Sequence, residues 1–159
     1  MGQHGDKSDW LEGCCPCGAS RIALARMPKH RFLCHCTICQ SVYPGDYADA
    51  TITRADAVSL LTPDTVSFGH YKANSPLERG VCNSCGHPVA AFMKMPGMPD
   101  LAFVPTAMLP KEGVQPKPSR HIFYGTRKAD VKDDLPKTSG ELASMAVIVP
   151  DFLAALFRR

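Results

Sequence analysis

The sequence contains no apolar run near the roughly 18 residues that a membrane-spanning helix needs, which excludes a transmembrane segment. It has no large excess of one charge: 18 Lys and Arg stand against 15 Asp and Glu, a formal net charge of +3. Its basic residues are not clustered, so nucleic acid is not an expected partner. Residues 1–10 lack the apolar core of a secretory signal, and Asp6 stands where a myristoylation site carries Ser or Thr. A cytoplasmic location with reduced thiols is therefore expected. Long proline-free stretches are scarce, with 14 prolines in 159 residues, which argues against a helical domain. There is no internal repeat. A hydrophobic share of 45% excludes a wholly disordered chain, and the length fits one domain.

Cysteine is what stands out. The eight cysteines lie at 14, 15, 17, 34, 36, 39, 82 and 85, in three tight groups, with none after 85. Cysteines one or two residues apart rarely meet disulfide geometry. They suit a metal, which draws neighbouring thiolates onto one centre. Cys82 and Cys85 have the C-x-x-C spacing of a zinc knuckle, followed by Gly86 at the turn. A structural zinc wants four protein ligands, so this pair needs two more. Cys15 and Cys17 can supply them, because residues i and i+2 of a strand share a face. Cys14 with Cys17 is the alternative, a second C-x-x-C across Pro16.

The middle group, Cys34, Cys36 and Cys39, brings three thiolates in six residues. Three ligands and an open position mark a catalytic zinc site. His35 lies between two of them and would face away on a strand. Three thiolates weaken the ion as a Lewis acid and suit thiol chemistry, since the metal lowers the pKa of an incoming thiol. One rival partition places a single metal on four of the seven cysteines. An iron–sulfur cluster is another, but the spacings match neither common ferredoxin pattern.

Short β-rich runs separated by Gly, Pro, Asn or Asp predict a mainly β domain, with strands at 21–25, 31–34, 47–53, 66–71, 89–92, 101–104 and 121–124. Residues 1–11 read as a flexible tail. Residues 55–61 fit a short helix or a strand edge. Residues 93–120, with six prolines and four methionines, read as loop, strand, loop. Residues 138–159 form the best helix candidate. Thr138 and Glu141 have capping-box spacing. Leu142, Met145, Ala146, Val149, Phe152, Leu153 and Leu156 supply a helical apolar period. Pro150 should kink or split this helix, and Arg158 and Arg159 suit its C-terminus. Its expected roles are packing on its own domain and contact in a homodimer.

Four segments together resemble the glutathione-dependent formaldehyde-activating enzyme family. They are Gly13-Cys14-Cys15-Pro16-Cys17-Gly18, Cys34-His35-Cys36-Thr37-Ile38-Cys39, Val81-Cys82-Asn83-Ser84-Cys85-Gly86-His87-Pro88 and Arg120-His121-Ile122-Phe123-Tyr124. The resemblance covers residues 12–137. It implies a zinc-stapled β-tent of small antiparallel sheets and two zinc ions per chain. One is a structural zinc on Cys15, Cys17, Cys82 and Cys85, which leaves Cys14 out; the other is a catalytic zinc on Cys34, Cys36 and Cys39. The implied activity is that of a carbon–sulfur lyase of the S-hydroxymethylglutathione synthase type, adding glutathione to formaldehyde or a similar small electrophile.

The two carboxylates of glutathione call for cations. Arg120 and Arg127 are the expected contacts, with Arg79 and Lys128 as further candidates near the motif segments. His121 reads as a satisfied core or rim histidine rather than a proton-transfer group, and Tyr43 and Tyr47 as pocket or core residues. The alternative reading is a non-catalytic zinc β-tent that binds macromolecules. A third is a thiol reductase using Cys14.

Overall fold

A computed structural model of the chain describes residues 7–157. The fold is mainly β. Its strands are β1 (Leu11–Cys14), β2 (Arg21–Leu24), β3 (His30–Cys34), β4 (Ala48–Arg54), β5 (Val58–Leu60), β6 (Val66–Gly69), β7 (Leu77–Cys82), β8 (Pro88–Met93), β9 (Leu101–Pro105) and β10 (Pro118–Ile122). Two α-helices join them, α1 (Thr37–Val42) and α2 (Glu141–Phe157). Among the described residues, no helix is long and apolar enough to cross a membrane.

The strands form a three-stranded antiparallel sheet, β1-β2-β5, and a seven-stranded sheet, β10-β3-β4-β9-β8-β7-β6. The larger sheet is not purely antiparallel: β10 runs parallel to β3. Every residue of β9 is buried, because both faces of the sheet are covered there. Leu101 and Phe103 face a core shared with α2, while Val104 points into a second core with Ile22, Leu24 and Val89. That is the two-residue alternation of a strand. The second core also holds Cys15 and Cys82, so the knuckle cysteines sit between the two sheets.

Three strands escape the sequence pattern. β1 and β5 are too short to show alternation, and β7 carries Glu78, Arg79 and Gly80 inside it. Residues 55–61 resolve as a 3-10 turn, Ala55–Ala57, followed by β5. Of residues 1–11, the first six lie outside the described residues. Lys7–Asp9 form a 3-10 turn and Leu11 opens β1.

Helix α2 differs from expectation in three ways. It begins at Glu141, so Glu141 cannot be the third residue of a Thr138 capping box. Thr138 instead extends the β10 region: its N–H donates to the His121 carbonyl, and its own carbonyl accepts from Tyr124 N–H. The helix runs unbroken through Pro150. The carbonyl that proline leaves without a donor belongs to Ala146, which is exposed, so water can pair with it. The buried face is also rotated. Ser144, Ile148, Phe152, Ala155 and Leu156 are buried, whereas Leu142 is 88% exposed and Leu153 43%. An almost uniformly apolar helix has no unique apolar face, so packing on β4 and β9 decides the rotation. Arg158 and Arg159 lie outside the described residues.

Ser144 is polar yet fully buried. Its Oγ accepts from Phe123 N–H at 2.8 Å and donates to the Thr138 carbonyl. Phe123 needs that anchor, since it holds a left-handed backbone at φ 53° that a non-glycine residue seldom adopts. Ser144→Ala is expected to lower stability by about 1–3 kcal/mol, because the part-buried Phe123 N–H loses its partner. A thermal melt that matches the unmodified chain would contradict this.

Candidate functional site

The knuckle cysteines sit on two tight turns of like design. Cys15 follows β1, and its carbonyl accepts from Gly18 N–H at 2.9 Å; Cys82 ends β7, and its carbonyl accepts from Gly86 N–H at 2.8 Å. Both glycines have positive φ, 80° and 72°, where a side chain would be strained. Across 65 residues of sequence the turns converge. The Sγ atoms of Cys15, Cys17, Cys82 and Cys85 all lie within 4.8 Å of one another. Cys15 to Cys17 is 3.4 Å and Cys17 to Cys82 is 3.7 Å. A disulfide would require about 2.05 Å. Four sulfurs each about 2.3 Å from a zinc ion stand about 3.8 Å apart at tetrahedral corners. The donor set therefore fits zinc. Burial raises the Cys82 thiol, but hydrogen bonds from Ser20 and from the Cys85 and Ser84 N–H groups outweigh it and bring it down to about 6. Cys14 is exposed and outside the cluster.

The second cluster is built by a strand end, a cap and a helix. Cys34 ends β3. Cys36 caps α1 with extended backbone, and its Sγ accepts from Cys39 N–H at 3.4 Å. Cys39 lies in the first turn of α1. The three sulfurs are again within 4.8 Å of each other. Hydrogen bonds from the Cys34 and Cys39 thiols hold the Cys36 thiol well below its ordinary value, helped by Cys39 N–H and the Arg79 charge. The same bonds push Cys34 up. Cys36 is the half-buried member of the three. This donor set fits a metal with three protein ligands and one free position.

His35 is not part of the cluster. It is fully buried and faces the other way, with Nε2 2.8 Å from His121 Nδ1. His121 Nε2 is 2.8 Å from Asp133 Oδ2, and Lys137 Nζ is 2.5 Å from Asp133 Oδ1. Lys137 and His121 hold the Asp133 carboxyl low, at about 2. An ionised Asp133 accepts from His121 Nε2–H. His121 Nδ1 then accepts from His35 Nε2–H, which leaves His35 Nδ1 as a bare acceptor, and it has no partner. Burial is the main cause that depresses His35 to about 4 and keeps it neutral. Gln40 Nε2 and Thr126 Oγ1 both donate to the His35 carbonyl. The peptide between Cys34 and Cys36 is thus held from both sides. The sequence signal for this chain of groups was faint: one histidine inside the C-H-C triplet and another in the last motif.

Cys34, Cys36 and Cys39 line a cavity of about 450 Å³. Tyr43 lines it too, whereas Tyr47 packs against the His35 ring at 4.8 Å. Among the described residues, its charged lining is Lys72, Arg79 and Glu141. Arg120 and Arg127 do not line it. Arg120 Nε is 3.9 Å from Asp151 Oδ2 on α2. Arg127 Nε is 2.6 Å from Asp130 Oδ1, and its guanidinium stacks on Tyr124 at 4.4 Å. Lys128 is exposed and also outside the lining. The helix α2 supplies a wall of the cavity through Met145, Ile148 and Phe152, a part that sequence reasoning did not assign to it.

The family model of the glutathione-dependent formaldehyde-activating enzyme matches residues 10–126. Among solved structures, a Rhodobacter sphaeroides protein from structural genomics is 21% identical, with a TM-score of 0.49, covering 67% of this chain and 92% of its own. No curated protein matches the chain. The matched segment spans both cysteine clusters and their turns, and the chain belongs to the glutathione-dependent formaldehyde-activating enzyme family.

Proposed function

We infer that this protein is a zinc-dependent carbon–sulfur lyase that adds glutathione to formaldehyde or a similar small electrophile. The observation that carries this reading is the opening of the Cys34, Cys36 and Cys39 cluster onto a cavity. Two of the four cysteines in the other cluster, Cys15 and Cys82, are buried between the sheets, which supports a structural role for a second zinc.

A zinc ion on Cys34, Cys36 and Cys39 would supply a free position that lowers the pKa of an incoming thiol. The chain's own residues do the rest. Arg79 faces the cluster closely enough to stabilise charge on Cys36 and Cys39. With Lys72 it offers the cavity's positive charge for the glutathione carboxylates, a role first expected of Arg120 and Arg127. The His35–His121–Asp133 chain holds the cysteine loop in place. The thiolate lone pair forms the C–S bond to the carbonyl carbon, and the C=O pair moves to oxygen, which takes up the proton the thiol released. No redox change occurs. Hemithioacetals form readily without a catalyst, so the benefit lies in proximity and in thiolate formation.

Two measurements test this. Metal analysis should give two zinc per chain, falling to one in Cys36→Ser with the fold retained. Exchange between glutathione and formaldehyde, followed by NMR, should accelerate with the zinc-loaded protein and slow at least about tenfold in Cys36→Ser, a loss of about 1.4 kcal/mol of transition-state stabilisation. Equal exchange with and without the protein would end the reading.

A further inference from the structure

The cavity beside Cys34, Cys36 and Cys39 is far larger than a one-carbon substrate needs. Its roughly 450 Å³ equals about fifteen times the ~30 Å³ that one water takes up in the liquid, and formaldehyde is little larger than water. Cores normally close voids of this size. This one stays open because small side chains oppose large ones. Phe32 pairs with Ala50 across β3 and β4, and Phe103 pairs with Ala91 across β8 and β9. The rings cannot fill the space in front of the alanines. Ile148 and Phe152 of α2 cover the hollow, with Phe152 edge-to-face on Phe103 at 5.6 Å and 79°. The charged lining is elsewhere: Lys72 and Glu141 are exposed, at the rim, and Arg79 is half-buried within reach of the cysteines.

A free glutathione molecule would strand its amides and carboxylates among the rings, since burying such groups without partners is unfavourable. Its sulfur can reach the cysteine cluster while its charged ends meet Arg79 beside the cluster and Lys72 at the rim. The apolar chamber then remains for the other reactant. Its wall comes partly from α2, which lies beyond the family-matched residues 10–126. Part of the chamber's wall thus lies outside the matched segment.

We propose that the electrophile is an apolar aldehyde of several carbons, whose chain fills the chamber between Ala50, Ala91 and Phe152 while its carbonyl carbon meets the thiol at the cysteine cluster. This rests on the thiol-addition reading of the same site. The thiolate sulfur forms the new bond to the carbonyl carbon, the C=O pair moves to oxygen, and oxygen takes the proton lost by the thiol. The product is an S-(1-hydroxyalkyl) thiol adduct, with nothing oxidised or reduced.

The test uses the zinc-loaded full-length protein and two series. In calorimetry, affinity for S-alkylglutathiones should rise about fourfold per methylene from S-methyl to S-hexyl, on the order of a thousandfold in total. In NMR exchange, acceleration with hexanal should exceed that with formaldehyde. Ala50→Leu, which fills the hollow, should cut the S-hexyl to S-methyl affinity ratio at least tenfold. The series on the unmodified protein decides the matter should that variant not fold. An affinity flat with chain length would overturn the proposal. Acceleration with formaldehyde but not hexanal would overturn it and leave the thiol-addition reading standing. Tight S-hexyl binding with no aldehyde accelerated would overturn that reading and the aldehyde assignment together.

Discussion

Cys82→Ser is expected to leave the chain unfolded. Cys82 and Cys15 are each 1% exposed and pack with Ile22, Leu24 and Val89 between the two sheets. The cysteine cluster joins the edge of the small sheet β1-β2-β5 to the end of β7. Structural zinc in a site of this kind contributes about 10–16 kcal/mol of apparent binding energy. The whole stability of a domain is about 5–15 kcal/mol. Losing the ion would therefore remove about as much as the fold has, and three remaining ligands hold it far less tightly than four. Serine also leaves a buried hydroxyl among apolar side chains. Circular dichroism should show no cooperative thermal transition, and an excess of a strong zinc chelator should have the same effect on the unmodified chain. A Cys82→Ser protein that melts within a few degrees of the parent would refute the structural assignment. Cys36→Ser is the internal control, because its cluster lies at a cavity wall rather than between sheets.

Gly13→Ala should be the most damaging single methyl group in the chain. A Cβ at Gly13 would lie well inside van der Waals contact of the Met108 carbonyl oxygen, and 3.0 Å from the Met108 carbonyl carbon. The obstacle is backbone, so no rotamer change relieves it. Met108 itself is fully buried beside Leu109 and Val104, which prevents the Thr106–Met108 turn from moving out. Overpacking a tight core typically destabilises by 1–3 kcal/mol, and more where the neighbour cannot yield. A loss of about 3 kcal/mol or more corresponds to a fall in Tm of roughly 10 °C at this chain length. Because Gly13 precedes Cys14 and Cys15, the variant should also lose zinc from the four-cysteine cluster before it loses it from the other. A Tm unchanged within 2 °C would contradict the close approach of β1 to the turn. Gly18→Ala gives a useful contrast. No atom would meet its Cβ within 4 Å, so only its φ of 80° opposes the change.

The metal-ligand groups are the part of the site most readable from sequence. Chelation by C-x-C or C-x-x-C depends on one strand or one turn, and local geometry is what spacing encodes. The middle cluster is likewise local, closed within Cys34–Cys39 by a strand end and the cap of α1. The short apolar runs of β2 and β9 were equally legible. β7 was not, because Glu78 and Arg79 interrupt its pattern while its neighbours β6 and β8 hold it in place. The parallel placement of β10 beside β3 was hidden too, since it depends on a chain return of more than 80 residues.

The cations show the limit most clearly. Arg120 and Arg127 stand next to a motif in sequence, and proximity in sequence made them candidates for the substrate carboxylates. In the fold Arg127 pairs with Asp130 and Arg120 lies beside Asp151, so neither reaches the cavity. Arg79, in the middle of β7, faces the cysteine cluster instead. The sequence by itself determined which neighbouring cysteines form local chelating pairs and triplets and that the domain would be mainly β, because both follow from contacts a few residues long. Only the tertiary structure decided which charges face the reacting sulfurs, which side of α2 is buried, and that this helix roofs an apolar chamber. Those depend on surfaces brought together from distant parts of the chain, and no local pattern specifies them.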